Sequence, residues 1–191
     1  ASWTIATGDQ LTPGQSSTMS ISLENSGDAI NGLEIDVHTN TPGISLSTTP
    51  TTLNMPANAT YQFDPVTIQA NDQVSHGLQV EIVVVVSSGP SSTSWSKFMT
   101  VQAPVVSINN LSLVSGNLDS GDSALVSLEM LNSGGLASGP MTITALPHDL
   151  VDISQAPMAC PSIDVDGTGM VTGSFDMVFS DQVFPGERLI L

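Results

Sequence analysis

Basic residues are almost missing from this chain. Lys97 and Arg188 are the only two among 191 residues, against 18 acidic ones, for a net charge of -16 at pH 7. Phosphate backbones and anionic lipid surfaces are held by clusters of Lys and Arg, so nucleic acid and anionic membrane are disfavoured as partners, and none is expected. The plain reading of the charge is solubility, in a medium salty enough to screen self-repulsion; the sharper one is cation binding. Aromatics are scarce at 4%, while hydrophobic residues reach 40%, so the core has to be aliphatic. With one cysteine, Cys160, no internal disulfide framework can form. No apolar run approaches the ~18 residues of a membrane-crossing helix, and the longest, Val80 to Val86, carries Glu81. No leader is visible and the first residue is Ala1 rather than Met, so the chain reads as a processed or excised piece. Long stretches of helix formers are also absent.

Ser, Thr, Gly, Asn and Pro are plentiful, which favours strands and turns. "LENSGDAINGL", Leu23 to Leu33, nearly recurs as "LNSGGLASGPM", Leu131 to Met141. Asn25-Ser26-Gly27 returns 107 positions later as Asn132-Ser133-Gly134, and Gly32 as Gly139. The flanks repeat too. Met19, Ile21 and Leu23 alternate with polar residues, as do Val126, Leu128 and Met130, which is the period of a strand with one buried face. "LEIDV" (Leu33, Ile35, Val37 inward) answers to "MTITA" (Met141, Ile143, Ala145) at offset 108. Val66–Ile82 answers to Phe175–Leu191 at offset 109, with Asp72-Gln73-Val74 recurring as Asp181-Gln182-Val183 and Gly77 as Gly186. Two small loop insertions account for the drift.

The chain is therefore expected to be all-β: two copies of one module, residues 1–103 and 104–191, joined at "VQAPVV", where Pro104 cannot donate a ladder hydrogen bond. A short joint containing proline restricts relative motion. Turns at intervals of about ten residues in modules of this length favour an immunoglobulin-like β-sandwich. The Asn-Ser-Gly phrases are expected to be tight turns that use the tolerance of Asn and Gly for positive φ. "VEIVVVV" is expected to be a central strand buried on both faces, or nearly so. "WSKFMTV", Trp95 to Val101, reads as a final strand with Trp95 in the core. The second copy stops at Leu191, the counterpart of Ile82, so its last strand is expected to be missing, and Leu191 is not expected to be the natural end.

Pro13-Gly14-Gln15-Ser16 ahead of an alternating strand, then Asn25-Ser26-Gly27, then Trp95, Phe98 and Val101 at the close, resemble the immunoglobulin-like repeats that follow the catalytic domains of secreted bacterial peptidases, the gingipain type included, and the CARDB type of adhesion-related module. The second copy keeps Gly121-Asp122-Ser123 but lacks the proline and the closing motif. The resemblance implies non-catalytic accessory or spacer modules of a larger secreted or cell-surface bacterial protein, with a peptidase as parent. The partner would then be the rest of the same polypeptide, including its catalytic domain. A surface adhesin or polysaccharide-binding stalk, with a protein or glycan ligand, is the alternative.

Candidate chemistry is sparse. "GDSA" around Ser123 is also the wording of a serine-hydrolase nucleophile, but copy one has an ordinary turn, Gly14-Gln15-Ser16-Ser17, in the same place. Cys160, His148 and Asp149 can be drawn together, though nothing in their spacing requires it. His38, His76 and His148 are scattered and give no zinc spacing. Asp164 and Asp166 precede a glycine turn, and Asp119 and Asp122 share a loop; each pair is a candidate for a weak calcium site, with a hydrated Asp-Gly turn as the plainer reading. No other cofactor is expected. A glycan platform would have to come from Trp3, Trp95 or Tyr61.

Overall fold

The computed structural model describes residues 2–5, 9–154 and 156–183, the first four by backbone alone. The end of the repeat match, with Gly186, Arg188 and Leu191, lies outside the described residues. Among them every regular element is a strand. The chain divides into two compact units, Ala1–Ala103 and Pro104–Leu191.

In the first unit the strands are β1 (Ser2–Ile5), β2 (Gln10–Leu11), β3 (Ser16–Asn25), β4 (Ile30–His38), β5 (Ile44–Ser47), β6 (Thr51–Met55), β7 (Ala59–Gln62), β8 (Val66–Ala70), β9 (Gln79–Ser88) and β10 (Ser91–Val101). One sheet has the order β1-β3-β8-β5, with β7 also pairing β3; the other has the order β2-β10-β9-β4-β6. The first strand is split between the sheets: β1 runs antiparallel to β3, whereas β2 runs parallel to β10. This is the plan of an immunoglobulin-like sandwich.

Period-two alternation builds the core between the sheets. Met19 and Ile21 from β3, Ile68 from β8, and Val80, Ile82 and Val84 from β9 are all at 0% exposure. Burial of each such side chain is worth about 1.5–3 kcal/mol. β9 is central, as its composition predicts, and its burial is complete only on the inner face. Val83 and Val85 on the outer face are only half-buried, because nothing among the described residues packs over that face.

The second unit holds β11 (Val106–Gly116), β12 (Ser123–Asn132), β13 (Met141–Ile143), β14 (Val151–Ile153), β15 (Met158–Cys160), β16 (Thr168–Met170) and β17 (Phe175–Phe179). Its main sheet has the order β11-β12-β17-β14, with β16 also pairing β12, and β13 pairs β15. Position for position this repeats β1-β3-β8-β5, with β7 on β3, and the pair β4–β6. The duplication read from the letters is thus present in the ladder pattern as well. Strands equivalent to β9 and β10 do not occur among the described residues. β11 stays on β12 along its whole length, from Val106↔Asn132 to Gly116↔Ala124.

The recurring Asn-Ser-Gly phrase has a different cause from the expected one. Neither Gly27 nor Gly134 has positive φ, nor do the asparagines. The asparagine side chain is the reason. Asn25 Nδ2 donates to Asp28 O (2.7 Å) and Pro56 O (2.9 Å), and its Oδ1 accepts from Gly27 N (3.1 Å). Asn132 Nδ2 donates to Leu136 O (2.8 Å) and Ile163 O (3.1 Å), while its Oδ1 accepts from Gly134 N and Val105 N, both at 3.0 Å. In each unit one buried carboxamide ties the end of a strand to a distant loop. The residue two further on contributes only its backbone N–H to that oxygen, so this bond accounts for the asparagine and not for the glycine.

Candidate functional site

The four candidate carboxylates sit in two turns. Gly167 N donates to Asp164 O (2.9 Å), closing a turn in which Asp166 takes φ 56°. Asn58, at the same place in the first unit, has φ 54°. The left-handed residue is a property of the repeat, and Asn and Asp are the side chains that tolerate it. In the other turn Asp122 N donates to Asp119 O (3.1 Å), and Asp122 O accepts from Phe179 N (2.9 Å). The first unit repeats the second of these bonds as Ala70 N to Gln15 O (3.4 Å), with no acid present. Among the described residues no three metal-ligating side chains gather at one point. Each turn itself carries two carboxylates, and the Asp181 carboxylate lies beside Gly121 in the second.

The nucleophile candidates are separated from bases. Ser123 begins β12, where its backbone pairs with Val178. Cys160 is buried in β15 opposite Met141, and burial pushes its thiol pKa up, away from the reactive thiolate. The histidines are engaged elsewhere. His38 Nδ1 lies 2.7 Å from Asp36 Oδ2, Ala103 N donates to His76 Nδ1 (3.2 Å), and Leu150 N donates to His148 Nδ1 (3.1 Å). His148 and Asp149 line an open groove of about 310 Å³ with Val178 and Phe179, and Cys160 is not on it.

The aromatic platform does not assemble from the expected residues. Trp95, expected in the core, is 36% exposed. It shares its strand face with the buried Met99 and Val101 and stands opposite the buried Val84, but β2 pairs only Thr100 and Val101, so at Trp95 β10 is, among the described residues, the edge of its sheet and the ring meets solvent. Phe98, 58% exposed, lies on the opposite face. Tyr61 belongs to the other sheet, packed edge-on against Phe63 with centroids 5.0 Å apart and an interplanar angle of 84°. It lines a groove of about 140 Å³ with Thr48 and Asp64. The backbone of Trp3 pairs with Ile21; its side chain is outside the described part.

What sequence reasoning missed is an apolar groove of about 250 Å³ in the second unit. Ile108 and Leu111 of β11, Leu128 of β12, Ile143 of β13, Leu146 and Met177 of β17 line it. The signal was available: Leu128, Ile143 and Met177 are the repeats of Ile21, Ile35 and Ile68, whose first-unit neighbours include β9.

No family model matches the sequence, and no curated protein does. Among solved structures, the D0-D1 domain of intimin is similar at 13% identity, covering 95% of this chain and 85% of that one, with a TM-score of 0.35. A protein of unknown function from Porphyromonas gingivalis W83 is similar at 14% identity, covering 93% and 83%, with a TM-score of 0.34. At that distance the likeness assigns neither family nor role. By its own strand order the chain is a tandem of immunoglobulin-like β-sandwich modules. Among the described residues no helix is long and apolar enough to cross a membrane.

Proposed function

We propose that the chain is a pair of non-catalytic spacer modules of a larger secreted bacterial protein, with a peptidase as parent. One observation carries the reading: the polar side chains that recur between the units, Asn25 and Asn132, are spent on locking loops. The side chains that could do chemistry, Ser123, Cys160, His148 and Asp149, belong to one unit only and do not converge. A duplicated rigid module whose repeated features are structural suits holding another domain at a distance. The fold by itself is compatible with many roles, so the parent is inferred from the sequence resemblance alone.

The test has two parts. Purified chain is expected to hydrolyse neither casein nor nitrophenyl esters; activity that co-purifies and is lost in Ser123→Ala or Cys160→Ala would overturn the non-catalytic reading. The coding sequence on either side is expected to encode a peptidase domain. Numerous further modules with an anchoring segment and no catalytic domain would favour a surface adhesin instead.

That second reading has its own observation. Tyr61, half out of the surface beside a groove bearing Thr48 and Asp64, offers a ring and hydroxyl partners of the kind sugars stack on. Glycan-array binding lost in Tyr61→Ala would support it; an empty array would end it.

A further inference from the structure

Asn31 is followed by Gly32, and no other asparagine of the chain is followed by glycine. Both residues are exposed. They form a bulge in β4. Ile30 pairs with Met55 and Leu33 with Leu53, so Asn31 and Gly32 together stand opposite Asn54 of β6. Gly32 takes φ +65°, and a Cβ on it would meet nothing within 4 Å. Glycine is therefore called for here by the backbone conformation and not by a close neighbour. Gly32 N donates to the side chain of the facing residue, Asn54 Oδ1, at 2.8 Å. In the second unit the same place holds Ser138 and Gly139. Ser138 is buried and Gly139 has no positive φ, so this arrangement belongs to the first unit alone.

We infer that Asn31 is a self-modification site, at which the chain loses a side-chain amide through a succinimide, and that the Asn54 side chain guards it. Gly32 N gives its proton to base and attacks Asn31 Cγ. The new N–C bond closes the succinimide while the bond from Cγ to the side-chain nitrogen breaks, and that nitrogen takes up a proton and leaves as ammonia. Water then opens the ring at either carbonyl, which gives aspartate or isoaspartate at position 31. With no Cβ on the attacking residue, nothing obstructs the approach. The bond to Asn54 Oδ1 holds the proton that has to leave and turns the nitrogen towards β6, so cyclisation waits for that bond to open. Asn25 and Asn132, each followed by serine, are buried with both carboxamide atoms hydrogen-bonded. Isoaspartate at 31 would lengthen the backbone of β4 just ahead of the buried Leu33 and Ile35, where strand phase keeps both in the core.

The test is to age the whole 191-residue chain in mildly alkaline buffer, below its melting transition, and to locate deamidation and isoaspartate by peptide mass spectrometry. Asn31 is expected to convert before any other asparagine, and faster as pH rises. Asn31→Gln, whose longer amide has to close a larger ring, should silence the position. A free peptide of the Ala29–Ile35 sequence, which lacks Asn54, should convert faster than the chain. Asn54→Ala removes the acceptor at an exposed site and should speed conversion by up to about tenfold. Exchange of the Gly32 amide should quicken with it, while the amides of β9 stay as slow as in the parent and report an intact fold. Asn54→Asp keeps an acceptor oxygen and should convert no faster than the parent. First conversion at another asparagine overturns the site. A chain that converts as fast as the peptide, an unchanged rate in Asn54→Ala, or an Asn54→Asp chain as fast as Asn54→Ala overturns the guard.

Discussion

Leu11 and Leu118 hold the same place in the two repeats, 107 positions apart, yet Leu11 is 2% exposed and Leu118 56%. The difference is one strand. Leu11 pairs with Val101, and its carbonyl accepts from Gln102 N at 2.7 Å; no equivalent of β10 stands beside Leu118 among the described residues. Leu11→Ala is therefore expected to cost about 2–5 kcal/mol, and Leu118→Ala to stay within about 0.5 kcal/mol. Urea unfolding of the two variants checks this, and equal losses would contradict it.

Asn132 is at 0% exposure with four strong partners, against 8% and three for Asn25. Removing a buried bonding group strands its partners at about 1–3 kcal/mol each. Asn132→Ala should destabilise the second unit by several kcal/mol and more than Asn25→Ala destabilises the first. Asn132→Asp should also destabilise, since it replaces two donated bonds with a buried charge. Amide exchange at Gly134 and Val105 reports the loss directly.

Cys160 sets an alkaline limit on the second unit. Burial holds its thiol pKa above the ordinary 9.0. Above that pH the unfolded chain gives up its thiol proton while the folded one keeps it, so the unfolded state binds fewer protons and stability falls as pH rises. Below pH 9 the contribution is fully present. The melting temperature of the second unit should decline above pH 9, and Cys160→Ala should flatten that decline.

The aspartate turns at Asp119–Asp122 and Asp164–Asp166 are closed by backbone bonds that the first unit, which carries no acid at the matching positions, shares in part. Millimolar calcium is accordingly expected to leave the melting curve unchanged beyond what an equal ionic strength of sodium chloride does. A saturable rise specific to calcium and lost in Asp166→Asn would show that the turn does hold the ion.

Much of the fold could be read from the letters because strand phase and turn residues repeat together. Val126, Leu128 and Met130 keep the face of Met19, Ile21 and Leu23 although every letter changes, and all are buried. Trp95 shows where periodicity stops: it fixes which way a side chain points and not whether its strand is the edge of the sheet there. The asparagines show a second boundary. Their partners at Pro56 and Ile163 are 31 residues away along the chain, and no local pattern encodes a contact at that range. The groove was missed for a third reason. Leu128, Ile143 and Met177 carry the letters of core residues, as their counterparts Ile21, Ile35 and Ile68 do, and only the three-dimensional arrangement shows that they line a groove.

The split first strand has a mechanical consequence. β2 and β10 run parallel, so traction applied at the start of the first unit and resisted at its far end slides the two strands lengthwise. The bonds joining them, Thr100 N to Asp9 O at 3.0 Å and Gln102 N to Leu11 O at 2.7 Å among them, lie across that motion and are loaded together instead of parting one at a time. A module built this way is expected to yield abruptly at a threshold force, where a peeled antiparallel hairpin would give way gradually.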